Sequence, residues 1–173
     1  MIPKMKWVDR KFEFNFSTGV FPCIVERLRG APVRVEEIVR NLPTEILTKC
    51  SGNLWSIQEH VGHLADLDEL HDGRIDDFLA KAEVLRAADM KNLKTEAAKH
   101  NEQNIETLLS AFRSARMKFV ERLETLDEEI VARTALHPRL KIPMRPIDMA
   151  YFTAEHDDHH IASIVELGRG LSN

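Results

Sequence analysis

Apolar positions recur at helical spacing along most of the chain. A first helical stretch runs from about Val20 to Arg29. Gly30-Ala31-Pro32 interrupts it, and Val33, Ile38, Val39 and Leu42 carry it on to Asn41-Leu42-Pro43. The two pieces read as one unit bent around Gly30, with the proline placed where a new helical segment can start. Residues 44–54 read as a loop ending in Ser51-Gly52-Asn53. Ser56 and Glu59 then fit a capping box. It opens a helix to about Ala88, with Ile57, Val61, Leu64, Leu67, Ile75 and Phe78 on one face. The next helix spans about Lys94 to Leu126. There Ile105, Phe112, Phe119 and Leu126 repeat every seven residues beside Leu108, Leu109 and Leu123, while Arg113, Lys118, Glu121 and Glu128 mark a solvated face. Residues 133–146 hold Pro138, Pro143 and Pro146 and read as a loop. Pro146 opens a last helix to about Leu167, and Gly168 and Gly170 suit its end. Ahead of all this, Phe12, Phe14 and Phe16 alternate with Glu13 and Asn15. Residues 1–17 therefore predict an extended segment laying three rings on one surface, to close the core or to line a pocket. With no repeat or linker, residues 1–173 read as one domain, and four long helical units with short connections predict an all-α four-helix bundle.

Composition narrows the partners more than the fold. Of 173 residues, 43% are hydrophobic and 30% charged, ordinary for a globular protein. The formal charge of −4 lacks the basic stripe that nucleic acid requires and argues against an anionic membrane surface. No apolar run approaches the roughly 20 residues of a transmembrane helix. Met1 to Arg10 shows no signal-peptide core, so the expected location is cytoplasmic. Cys23 and Cys50 form no CxxC pair and are expected to be buried or half-buried thiols.

Candidate chemistry lies in the eight histidines, at 60, 63, 71, 100, 137, 156, 159 and 160. His156 and His160 are four residues apart on a predicted helix, so their rings share one face with Cβ atoms about 5–6 Å apart. That face also carries Met149, Thr153, Ile164 and Leu167, so both imidazoles point into the bundle. Buried imidazoles need partners for their nitrogens, and a shared metal ion supplies one. His159 lies about 100° round the helix, away from such an ion. An open catalytic site takes three protein ligands, and the third must come from the helix bearing His60, His63 and His71. By angular count His60 and His71 lie within its apolar face and His63 near the edge, so periodicity does not choose among them.

The run Trp55-Ser56-Ile57-Gln58-Glu59-His60-Val61-Gly62-His63-Leu64-Ala65-Asp66 is followed much later by Glu155-His156-Asp157-Asp158-His159-His160-Ile161. This order resembles the DinB-like family over about Val20 to Leu167. The matching group, of YfiT type, is described as metal-dependent hydrolases and includes thiol-dependent S-transferases. The resemblance implies an up-down-down-up four-helix bundle with a three-histidine metal site. It assigns His63, in the His-Leu pair, together with His156 and His160, as the ligands. It also implies a divalent transition metal, zinc or nickel foremost, and a homodimer. His60, one turn before His63, departs from the pattern and competes for the ion.

Ligating imidazoles give their other N–H to a carboxylate or carbonyl. Glu59, Asp66, Glu155 and Asp157 are the neighbours available for that role. An ion left with open positions activates water, giving hydrolysis, or a low-molecular-weight thiol, giving S-transfer to a small-molecule substrate. The substrate is expected against the loops and the Phe12, Phe14 and Phe16 cluster. No Ser-His-Asp or Cys-His arrangement implies covalent catalysis. The competing expectation is a non-catalytic, stress-associated metal-binding or interaction bundle, whose ion a fourth ligand such as His60, Asp66 or Asp157 would close off. A third is a bundle without metal, its histidines satisfied by hydrogen bonds.

Overall fold

The computed structural model describes residues 2–50, 52 and 54–171. Four long helices form the body: α1 (Phe21–Arg40), α2 (Ile57–Leu79), α4 (Ile105–Glu124) and α6 (Pro146–Leu171). Short helices α3 (Leu93–Ala98) and α5 (Glu128–Val131) lie in the connections. A minimal antiparallel hairpin, β1 (Ala135–Leu136) with β2 (Pro143–Met144), precedes α6. Ser51 and Asn53, two residues of the loop expected to end at Asn53, lie outside the described residues.

Ion pairs between helices fix their directions, although exposed pairs add little stability singly. Residue numbers rise together on α2 and α4, through Asp68–Arg116, Asp72–Lys118 and Asp76–Arg122. They run oppositely on α1 and α4, through Arg29–Glu124, Glu36–Arg113 and Arg40–Glu106. Arg27 over the Tyr151 ring and Arg34–Asp158 set α1 parallel to α6. His60–His160 and His63–His156 set α2 antiparallel to α6. The order is therefore up-down-down-up, as the resemblance implied.

The apolar core is in two parts. One gathers Phe21, Leu28, Ile75, Phe78, Phe119, Leu123 and Met149. The other gathers Val35, Val39, Ile57, Val61, Leu64, Phe112 and Ile164. Between them on α2, α4 and α6 lies a polar layer, with Arg116 at its centre. The Arg116 guanidinium donates to Asp68 of α2 at 2.9 Å and to Asp157 Oδ1 of α6 at 2.9 Å. It also reaches the Leu28 carbonyl of α1 at 3.2 Å. All three charged side chains are 1% exposed or less. Burial pushes the Asp68 carboxyl up to about 7, against the pull of Arg116, and moves Asp157 upward in the same way. Two carboxylates sharing one guanidinium cannot both be fully compensated.

Several expected boundaries move. The helix expected to reach Ala88 stops at Leu79. Lys81 adopts the left-handed conformation (φ 56°), and the chain beyond it pairs with β1 through Leu85 N–H to the Leu136 carbonyl. The helix expected over 94–126 is broken by left-handed Lys99, and α4 starts afresh where the Asn104 side chain accepts the Glu106 N–H. Pro32 lies inside a continuous α1. The last helix runs through Gly168 to Leu171, and Leu42 packs where a Gly168 side chain would stand, 2.9 Å from a Cβ. Cys23 and Cys50 are both exposed: Cys23 lies off the buried stripe of Phe21, Ile24, Val25 and Leu28 on α1, and Cys50 lies in the loop ahead of α2. Phe12, Phe14 and Phe16 alternate inward as expected and pack on Tyr151 and Phe152 of α6. No described helix is long and apolar enough to cross a membrane.

Replacing Arg116 by Met would strand two buried carboxylates. Such a loss costs about 3–5 kcal/mol and should lower the urea midpoint at pH 7 accordingly. Adding Asp68→Leu and Asp157→Leu should return much of the loss. An unchanged midpoint in Arg116→Met would contradict the structural role of this layer.

Candidate metal centre

The site forms where α2 and α6 cross antiparallel just beside the polar layer. His156 and His160 are one turn apart on α6, and His63 faces them from α2. One ring nitrogen from each lies within 4.8 Å of the others. His156 Nε2 and His160 Nε2 are 3.0 Å apart. Two nitrogens on one tetrahedral zinc would stand about 3.3 Å apart, so the pair is close to ligand spacing. All three histidines are buried.

The remaining nitrogens are already occupied on two rings. His63 Nδ1 lies 3.1 Å from Thr95 Oγ1, and Thr95 donates to Asp66 Oδ2 at 3.1 Å. His100 Nε2 meets the same carboxylate at 2.8 Å. A chain His63–Thr95–Asp66–His100 therefore orients the His63 ring and leaves its Nε2 facing the cluster. His160 Nδ1 is engaged by His60 Nδ1 at 2.8 Å. His60 thus stands behind His160 and does not converge with the three. Trp55 covers the group, 4.7 Å from the His63 ring and 6.1 Å from that of His160, and is tied down by Glu96. Trp7 meets His156 edge-on at 5.0 Å.

The four expected carboxylate supports divide. Asp66 acts on His63 through Thr95. Glu59 closes the Ser56 capping box, as expected, and Asp157 binds Arg116. Glu155 pairs with Arg10 and Arg27. None of the four touches a converging imidazole directly, and none offers a fourth ligand. Thr95 and His100 were missed because they fall in a segment read as one long helix. The close approach of His100 to α2 needs Gly62, where an added Cβ would stand 2.3 Å from the His100 ring.

The histidines open onto a cavity of about 480 Å³. Its wall is mostly apolar, with Trp7, Leu67, Leu70 and Phe152. Phe12, Phe14 and Phe16 do not line it: they pack on the outer side of Phe152 and Tyr151, and Trp7 takes the place expected of them. His159 lines the cavity but stays outside the cluster, as its position round the helix requires.

An up-down-down-up bundle with three histidines converging beside a cavity defines a recognisable class of helical protein. The DinB superfamily model matches residues 27–164, and the chain belongs to that superfamily. In fold the chain is similar to YfiT from Bacillus subtilis, at 21% identity over 94% of each chain with a TM-score of 0.79. That protein is described as "a probable metal-dependent hydrolase with an unusual four-helix bundle topology". No curated protein matches the chain.

Burial keeps the imidazoles neutral, as metal ligands must be. It lowers His60 to about 3, and His63, His137 and His159 to about 4. His71, His156 and His160 fall well below their ordinary value for the same reason. A base lowered in the folded state lends stability above about pH 6.5 that is lost as the unfolded chain takes up protons below it. Asp68 and Asp157, raised acids, act in the opposite sense but are outnumbered. The melting temperature of the metal-free protein should therefore fall by several degrees between pH 7.5 and pH 5. A flat or rising profile would contradict the neutral, buried state of these rings.

Proposed function

We propose that this protein is a metal-dependent enzyme in which His63, His156 and His160 hold one divalent transition-metal ion, zinc or nickel. The substrate is a small molecule, and the reaction is hydrolysis or transfer of a low-molecular-weight thiol. One observation carries the reading: three buried imidazole nitrogens converge beside a cavity, with the outer nitrogens of His63 and His160 already engaged. Histidine ligands oriented in this way are the rule at metal sites. Three neutral ligands leave the double charge of the ion intact, and such an ion brings a bound water near pKa 7 or keeps a thiol ionised.

The rest of the work falls to the chain. Thr95 and Asp66 hold the His63 ring, and His60 holds that of His160, so the donor set is pre-organised. Trp55 screens the histidines from bulk water on one side. Trp7, Leu67 and Phe152 present apolar surface to the body of a substrate. His60, Asp66 and Asp157, the residues able to close the site as fourth ligands, are each committed elsewhere. That favours an open position and an enzyme over a closed structural ion.

The chain purified without a histidine tag should carry about one transition-metal ion, by elemental mass spectrometry, and His63→Ala and His156→Ala should lose it. Thr95→Val should retain the site with about 10–100-fold weaker affinity. Chelation should abolish any hydrolysis or thiol consumption. A wild-type chain that cannot be loaded with zinc or nickel would overturn the proposal.

A further inference from the structure

The cavity beside the histidines also holds a second group of polar side chains with no task in the chemistry above. Arg74, His137 and Arg139 all line it. Arg74 is 1% exposed. Its Nε and Nη2 both donate to the Arg86 carbonyl at 3.2 Å. Arg139 lies over the Phe152 ring, its Cζ 5.7 Å from the centroid. Among the described residues, neither guanidinium forms an ion pair with a carboxylate. Among the described residues, Asp89 is the only acidic one on the wall. Its two oxygens are taken by the backbone N–H groups of Lys91 and Leu93.

Orphaned buried atoms concentrate here. Among the described residues, the buried side-chain atoms without a hydrogen bond are both nitrogens of His71, His137 Nε2, Arg139 Nη2 and Asp72 Oδ1, the last of which pairs with Arg122 at 3.0 Å. All but Asp72 belong to residues of this wall. His137 is 2% exposed, and its Nδ1 accepts the N–H groups of Arg139 and Leu140 at 3.2 and 3.1 Å. The ring proton therefore sits on Nε2, which becomes a donor without an acceptor. Buried polar groups left unpaired cost free energy and call for an explanation. Donors on His137 and Arg139, with the positive charge of Arg74 nearby, share one missing complement: an oxygen anion.

We propose that Arg74, Arg139 and His137 form a subsite for an acidic group, carboxylate or phosphate, carried by the substrate or thiol whose reactive end reaches the histidines. The inference rests on reading this cavity as the substrate pocket. Burial and the neighbouring charge of Arg139 lower Arg74 to about 10, against the pull of Asp77, yet leave it charged at neutral pH. Arg guanidinium is the donor best shaped for such oxyanions.

The test is calorimetric titration with 4-phenylbutyrate, its neutral amide 4-phenylbutyramide, and phenethyl phosphate. Each is run on the protein as purified and again after chelation. Either or both anions should bind about tenfold or more tightly than the amide in both preparations, and the tighter anion identifies the acidic group. Arg139→Gln should remove most of this preference, and Arg139→Lys should keep part of it. Equal binding of acid and amide, no binding of either anion up to about 20 mM, or a preference unchanged in folded Arg139→Gln would overturn the subsite. The wild-type comparison decides even where a variant fails to fold. Because the preference is also read without metal, failure of the three-histidine site and failure of this subsite are separate results.

Discussion

Among the described residues, Arg116 is the one side chain that bonds to every other long helix. From α4 it holds Asp68 of α2, Asp157 of α6 and the Leu28 carbonyl of α1. The last contact depends on Pro32. A helical residue at that position would donate its N–H to Leu28, four residues earlier, and proline has none to give. The proline thus leaves an orphan carbonyl in the middle of α1, and the buried guanidinium takes it up. An apolar core alone would hold four helices together but would allow them to slide. A directional, buried charge cluster fixes their register, the use for which such clusters are best attested.

The histidine cluster inherits that register. Asp157 follows His156 directly, and Asp68 lies little more than a turn beyond His63. Clamping both aspartates to one guanidinium sets the depth at which α2 and α6 face each other. The local shell then sets ring angles through Thr95, Asp66 and His60. The cavity wall is completed from outside the bundle, by Trp7 ahead of α1 and by His137 and Arg139 beside the β1–β2 hairpin. A rigid helical scaffold with a cavity wall completed from the connections is the usual division of labour between frame and loops.

Much of this was legible in the chain. Apolar stripes gave the four long helices, and Ser56 with Glu59 gave the start of α2. The His156 and His160 spacing gave two of the three converging rings. The third was not periodic information: angular counting placed His63 at the edge of its stripe, and only the family resemblance singled it out. Packing against α6 makes it the buried, inward ring. Thr95 and His100 were hidden because a broken helix and a continuous one share the same apolar period, and left-handed Lys99 carries no side-chain signal of its own. The polar layer did leave a trace. Arg116 stands between Phe112 and Phe119, and Asp68 between Leu64 and Ile75, at positions where each stripe should be apolar. Arg74, beside Ile75 and near Phe78, is a trace of the same kind. Trp7 and His137 come from segments without periodicity, and only the fold brings them to the site.

The most direct test of the account is X-ray absorption spectroscopy at the metal edge of the zinc- or nickel-loaded protein. Three imidazole nitrogens in the inner shell, completed by one or more light atoms that an added thiol replaces with sulfur or an added anion displaces, are the predicted result. A shell with a fourth imidazole or a protein carboxylate, unchanged by either addition, would contradict an open three-histidine centre.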